Sequence, residues 1–252
     1  MSSRAIGALV VTCVSAWVLV HAAEGAPDPA AILVRADAPH DAFPEGAISL
    51  RVTIAERGKA PVESLLELFV EGTQKSLAVF REGKQKGRRI LTVGERVWLI
   101  VPGAARPVPV SKTQRLMGAA SFGDIAQLRF AEEFVATLRP ADDAVATDRG
   151  DLPCRVLDLV ARKKGAAYPR GVLWVGRDDG LPRKLRLALA SGKEAKEVRF
   201  IAYFDDLRIK TMEIRDLLVG GGDNTTALAF ERYSRRVLEP AMFEPEGARA
   251  VP

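Results

Sequence analysis

The chain has 252 residues, with 37 Lys and Arg against 32 Asp and Glu, a formal charge of +5 and 48% hydrophobic residues. Two histidines and two cysteines offer little for a zinc shell or a disulfide framework. The basic excess is not interleaved with aromatics in stripes, which excludes an ordinary nucleic-acid surface.

Arg4 precedes a charge-free run over residues 5–20 that is short for a membrane span, followed by small residues at Ala22, Ala23 and Gly25. This is the layout of a secretory signal peptide. Residues 1–22 are therefore expected to be removed, with the cut between 22 and 25, leaving a periplasmic protein with no transmembrane segment. Cys154 and His40 would be the remaining cysteine and histidine, so the fold must rest on its core, which a chain of this length can supply.

Asp28 before Pro29 and a run of good helix formers marks a helix start, and Pro39 is expected to close it. From Ala47 the period falls to two: Ile48, Leu50, Val52 and Ile54 alternate with other residues, as in a half-buried strand. Leu66, Leu68 and Val70 repeat the pattern with Phe69 on the opposite side. A break at Gly72 turns the chain into residues 76–80. Residues 90–93 and 97–101 form a hairpin across Gly94-Glu95. Trp98 in that hairpin reads either as a core tryptophan or as the wall of an apolar cavity.

Ser111 and Gln114 form a capping box with Gly118 as a stop, so a short helix is expected there. Ser121 and Asp124 start a second, in which Phe122, Ile125 and Leu128 share one face. Further strands are expected over 154–161, 171–175, 181–189, 197–203, 209–218 and 226–237. Their connections carry strong turn chemistry at Asp178-Asp179-Gly180, Ser191-Gly192-Lys193 and Gly220-Gly221-Gly222-Asp223. Residues 246–252 read as a flexible tail. The pattern is α+β, a single meandering antiparallel sheet with a few helices laid across it.

Catalytic sets are missing. His40 lies in a proline-flanked loop, and Cys154 opens an apolar strand, where a buried thiol is inert. The pairs Asp142-Asp143, Asp178-Asp179 and Asp205-Asp206 adjoin turns, and adjacent strand residues point to opposite faces. The chain is expected not to be an enzyme and to hold no cofactor or metal.

In Lys86-Gly87-Arg88, the Trp98 strand ending at Pro102, Arg106, Gln114-Arg115-Leu116-Met117-Gly118 and Ala120-Ser121-Phe122-Gly123-Asp124-Ile125, the chain resembles the LolA-like family. The likeness is to its uncharacterised branch, the outer-membrane lipoprotein-sorting-like periplasmic proteins. The stretches 209–214, 226–230 and 240–245 are similar too. Gly123 departs from the pattern, where an asparagine or a second acid is more usual.

The resemblance implies an open half-barrel over residues 26–245, of about eleven strands, a width at which twisted open sheets curl. It also implies an apolar cavity under a helical cap. The implied function is a carrier for a lipid or lipoprotein acyl chain, in outer-membrane lipoprotein sorting or lipid transport. An inner-membrane release complex or an exporter would be its protein partner. The cavity and lid residues expected are Leu66, Leu68, Trp98, Ile100, Leu116, Met117, Phe122 and Ile125. Gly103, Ala104 and Ala105 are expected to hinge the lid. The alternative expectation is a non-catalytic envelope sensor or transporter-accessory adaptor that uses the same fold for protein contacts.

Overall fold

Among the described residues the architecture is an antiparallel sheet of 14 strands that remains open, beside a separate two-stranded hairpin. The computed structural model describes residues 27–111, 115–117, 120–121, 129–148, 150–219 and 222–251; the expected signal peptide lies outside them.

Two meanders build the sheet. The first runs through β1 (Glu45–Ala55), β2 (Val62–Glu71), β3 (Lys75–Phe80), β4 (Arg89–Val93), β5 (Arg96–Ile100) and β6 (Val108–Val110). The second contains β9 (Phe134–Leu138), β10 (Asp143–Thr147), β11 (Gly150–Ala161), β12 (Arg170–Gly176), β13 (Pro182–Ala188), β14 (Glu194–Tyr203), β15 (Ile209–Asp216) and β16 (Asn224–Ser234). Both β9 and β10 pair with β11, along different lengths of it. The meanders join where β1 pairs with β16, from Ala47 opposite Ser234 to Ala55 opposite Thr225.

That seam is tight at its open end. Gly46 sits at φ +136°, and a Cβ there would lie 2.4 Å from the Ser234 carbonyl oxygen and 2.7 Å from the Phe43 ring. Only glycine meets both demands, a positive φ and a close backbone approach.

Alternation along the strands sorts the apolar residues onto two faces. The inner face carries Ile48, Leu50 and Val52 of β1, Leu66, Leu68 and Val70 of β2, and Ile90 and Val97 further along. It continues through Val198, Phe200, Met212, Ile214, Leu228 and Phe230 on the second meander. Helix α1 (Pro29–Ala36) lies on this face with Ile32, Leu33 and Ala36 buried, and Asp28 caps it by accepting from the Ala30 N–H at 3.0 Å. Pro39 does not end the region as expected. It stands in the first turn of a second short helix, α2 (Ala38–Asp41), where its missing N–H costs nothing.

The outer face of the first meander is also covered. Phe69, on the side opposite Leu66, Leu68 and Val70 as expected, is 3% exposed and clusters with Leu77, Val79, Leu91 and Ile100 under the C-terminal segment. That segment brings Leu238, a 3-10 turn over Pro240–Phe243, and α4 (Gly247–Ala250). Arg89 donates from Nε and Nη2 to the Val251 carbonyl at 3.2 and 2.6 Å. The expected flexible tail is thus a packed cap through Val251. A third cluster, Val145, Cys154, Val156 and Trp174, lies beside β10 on the second meander.

One expected helix is corrected. Residues 115–117 and 120–121 are strands, β7 (Arg115–Met117) and β8 (Ala120–Ser121), paired with Arg115 opposite Ser121. The capping box is followed by only a few residues before Gly118, too few to recover the cost of nucleating a helical turn. A hairpin satisfies the same backbone groups. The second expected helix, with Phe122 and Ile125, lies outside the described residues.

Candidate functional site

The inner face ends in a polar collar at the α2 side of the sheet, and Asp37 is its anchor. Asp37, 5% exposed, accepts from the Phe130 N–H at 2.8 Å and the Ala131 N–H at 2.9 Å, which clamps α1 to α3 (Phe130–Glu133). Burial pushes its carboxyl pKa up, and the two backbone donors oppose that. Phe130 then drops fully into the inner core, its ring 6.4 Å from Phe200 and edge-on to it.

One turn on, His40 is held on α2. Its pKa is lowered to about 4, by burial first and by the Arg129 charge second, so it is neutral near pH 7. The His40 Nδ1 is closed off from solvent and has no hydrogen-bond partner among the described residues. Arg129, its side chain 12% exposed, pairs with Asp41, whose side chain is 64% exposed. Tyr233 closes the far side of the collar and donates to the Ile209 carbonyl at 2.7 Å. Its ring meets Phe43 edge-on at 5.0 Å and lies beside Phe230, with the Arg208 guanidinium 4.5 Å above it.

These groups enclose a cavity of about 60 Å³ lined by His40, Arg129 and Tyr233 together with Ile48, Leu68, Val70 and Phe230. A second hollow of about 470 Å³ lies along β11–β13, walled by Asp158, Val160, Arg170, Val172, Arg186 and Glu194. Asp158 and Val172 share the sheet face of Val156 and Trp174, so this groove opens mainly on the outer side. Among the described residues no group of three or more His, Cys, Asp and Glu is placed to hold a metal.

The expected cavity residues do not converge. Leu66 and Leu68 face the inner core, and Leu68 lines the small cavity. Trp98 and Ile100 face the other way, into the cluster beneath the C-terminal cap. Leu116 and Met117 fall on β7, and the hairpin brings β8 close to β15. Phe122 and Ile125 lie outside the described residues. The stretch 103–105, expected as a hinge, is tied to the cap: Arg249 donates to the carbonyls of Ala104 at 3.2 Å and Ala105 at 2.9 Å. The collar is not legible in the sequence, where His40 offers neither a nucleophile's partner nor a zinc shell. The signal for it was the run Asp37-Ala38-Pro39-His40-Asp41 at the end of a capped amphipathic helix.

A family profile described as "Uncharacterized protein" matches residues 72–247, well over half of the chain. The chain belongs to that family, and it has the LolA-like fold. A LolA superfamily protein from Nitrosomonas europaea superposes with a TM-score of 0.72 at 24% identity, covering 87% of this chain and 99% of that one. A putative outer membrane lipoprotein-sorting protein domain from Vibrio parahaemolyticus gives 0.67 at 16% identity, covering 86% and 97%. A DUF1329 family protein from Desulfovibrio piger gives 0.69 at 19% identity, covering 87% and 99%. No curated protein matches the sequence. The open half-barrel expected from the sequence is the fold, widened from about eleven strands to 14. Among the described residues, no helix is long and apolar enough to cross a membrane.

Proposed function

We propose that this protein is a periplasmic carrier that holds a lipid or lipoprotein acyl chain against the inner face of its sheet. The observation that carries the reading is that face: an unbroken apolar surface from β5 through β1 and β16 to β11, under a described cover of one eight-residue helix and the shorter α3. An apolar sheet face packs against an apolar partner. A chain spliced between cover and sheet supplies one, at about 0.8 kcal/mol per methylene buried.

The described cavity is far below the 300–1,000 Å³ typical of ligand pockets. Uptake therefore requires the cover to move away from the sheet. The outer cap and the Arg249 contacts to residues 104 and 105 favour movement on the inner side, where Asp37 joins α1 to α3. The test is native mass spectrometry of protein purified without detergent, coupled to lipid extraction, and uptake of a fluorescent fatty acid. Bound amphiphile, or saturable uptake, supports the carrier. Protein that is ligand-free and takes up no fatty acid overturns it.

A further inference from the structure

The chain between β5 and β6 stays apolar after it leaves the sheet. Val101-Pro102-Gly103-Ala104-Ala105-Arg106-Pro107 joins the two strands with Arg106 as its one charge, and Val108-Pro109 carries the composition into β6. Val101 is 41% exposed and Val108 49%, with Pro102, Ala105 and Pro109 exposed beside them. Single apolar residues on a surface are ordinary, whereas a run of them in one loop marks an interaction site.

The loop stands at the rim of the inner face. Val108 lies opposite Leu99 and Val110 opposite Val97, and those three neighbours belong to the inner core. Val108 is thus an inner-face position left uncovered at the edge of the sheet. The loop is also held in shape: Arg249 donates to the Ala104 and Ala105 carbonyls, and the Ala104 N–H donates to the Val101 carbonyl at 3.1 Å. A surface already ordered loses little freedom on binding.

Positive charge stands against it. A Cβ on Gly87 would lie 3.0 Å from the Pro102 ring, which sets the β3–β4 loop directly beside the apolar one. Lys84, Lys86, Arg88 and Arg106 lie in the stretches 84–88 and 101–107, which hold no carboxylate; Glu82 precedes them. Lys84, Lys86 and Arg106 are exposed and form no ion pair among the described residues.

We propose that these two loops form a docking surface for a bilayer with anionic headgroups. Val101, Pro102 and Val108 enter the boundary between headgroups and acyl chains, and the basic side chains meet the lipid phosphates. A strand from another protein is opposed at this edge by Pro109, which has no N–H to donate. Docking sets the rim of the inner face against the leaflet, which gives the carrier reading a place of loading. The surface itself rests on the loops alone.

Flotation with phosphatidylcholine vesicles, and with vesicles carrying about 30% phosphatidylglycerol, tests it. Binding is expected to the anionic vesicles, and to weaken as salt rises from about 20 to about 500 mM. A basic side chain at such a surface is worth about fivefold, so Lys84→Glu/Lys86→Glu should lose about tenfold or more. Lys163→Glu/Lys164→Glu makes the same change in net charge on the β11–β12 connection and should stay within about threefold of the parent. Val101→Asp/Val108→Asp should lose about tenfold, since it removes the apolar seat and adds repulsion. Residues 1–26 are common to every variant, so the differences belong to the loops.

No binding, or equal binding to both kinds of vesicle, overturns the surface. So does an equal loss in the two lysine pairs, or full binding by the valine variant. Poly-glutamate that binds and is lost with Lys84 and Lys86, while vesicles stay unbound, assigns the loops to an acidic polypeptide and refutes the membrane. Fatty-acid uptake without docking leaves the carrier standing, and docking without uptake removes the carrier and keeps the surface.

Discussion

Replacing Phe243 with alanine tests whether the C terminus is structural. The Phe243 ring is 5% exposed and belongs to the outer-face cluster with Leu77, Leu91 and Ile100, with the Lys75 ammonium 5.7 Å from its centroid. Buried Phe→Ala changes cost about 3–5 kcal/mol. The ring lies in a surface-laid segment, where the gap can partly collapse, so the lower end applies. The cation–π contact adds about 0.5–1 kcal/mol. A loss of about 3–4 kcal/mol lowers the midpoint of a domain this size by about 10 °C. Thermal and urea unfolding followed by circular dichroism measure it. Because Phe243 and Trp98 face away from the inner core, fluorescent fatty-acid uptake per folded molecule should stay within about twofold of the parent. A stability loss under about 1 kcal/mol would return residues 240–251 to the status of a frayed tail. A matching loss of ligand affinity would place the ligand on the outer face and refute the assignment of faces.

Three further outcomes are expected. The His40 pKa lies at about 4 in the folded chain against 6.5 unfolded, so the neutral ring stabilises above pH 6.5. That stability is lost as pH falls through the window from 6.5 to about 4, by up to about 3 kcal/mol at 1.36 per unit; His40→Phe should flatten this part of the urea-stability profile, and an unchanged slope would count against the burial of the ring. Cys154 is fully buried with its thiol pKa raised by that burial, so iodoacetamide at pH 8 should alkylate it only after denaturation, as read by peptide mass mapping. Gly46→Ala meets both a positive φ and a backbone oxygen at 2.4 Å; a loss of at least about 2 kcal/mol in urea unfolding is expected, and a loss under about 0.5 would mean that the seam relaxes freely.

How much could be read from the sequence follows from how local each signal is. Ile48, Leu50, Val52 and Leu66, Leu68, Val70 announce strands because alternation is a property of neighbouring residues, and all of them face the inner core. Asp28-Pro29 announces α1 for the same reason. Phe69 has no local mark for its burial, since its cover arrives from Leu238 and Phe243, far along the chain. Strands β9 and β10, with the sequences FVATL and DAVAT, escaped notice because alanine and aspartate carry weak strand preference and their exposed sides dominate. Trp98 and Ile100 share with Leu66 only their apolar character, which cannot distinguish one face of a sheet from the other when both are dry. The collar failed to show for the opposite reason: its residues are individually ordinary, and only the return of Arg129 beside Asp41 makes them a group.

The pairing of β1 with β16 bears on how the molecule comes to be made. Residues 47–55 are synthesised early, yet the strand they bond to on one side ends at Ser234. Each meander can zip from its hairpins as it emerges, whereas the seam must wait for the last strand and close a loop of nearly the whole domain. Pairings of such sequence separation are slow. Until then β1 presents a bare edge with one apolar side, open to pairing with another copy. The edge of β1 from Ala47 to Ala55 is therefore where ribosome-bound or newly released chains should be most prone to join the wrong neighbour.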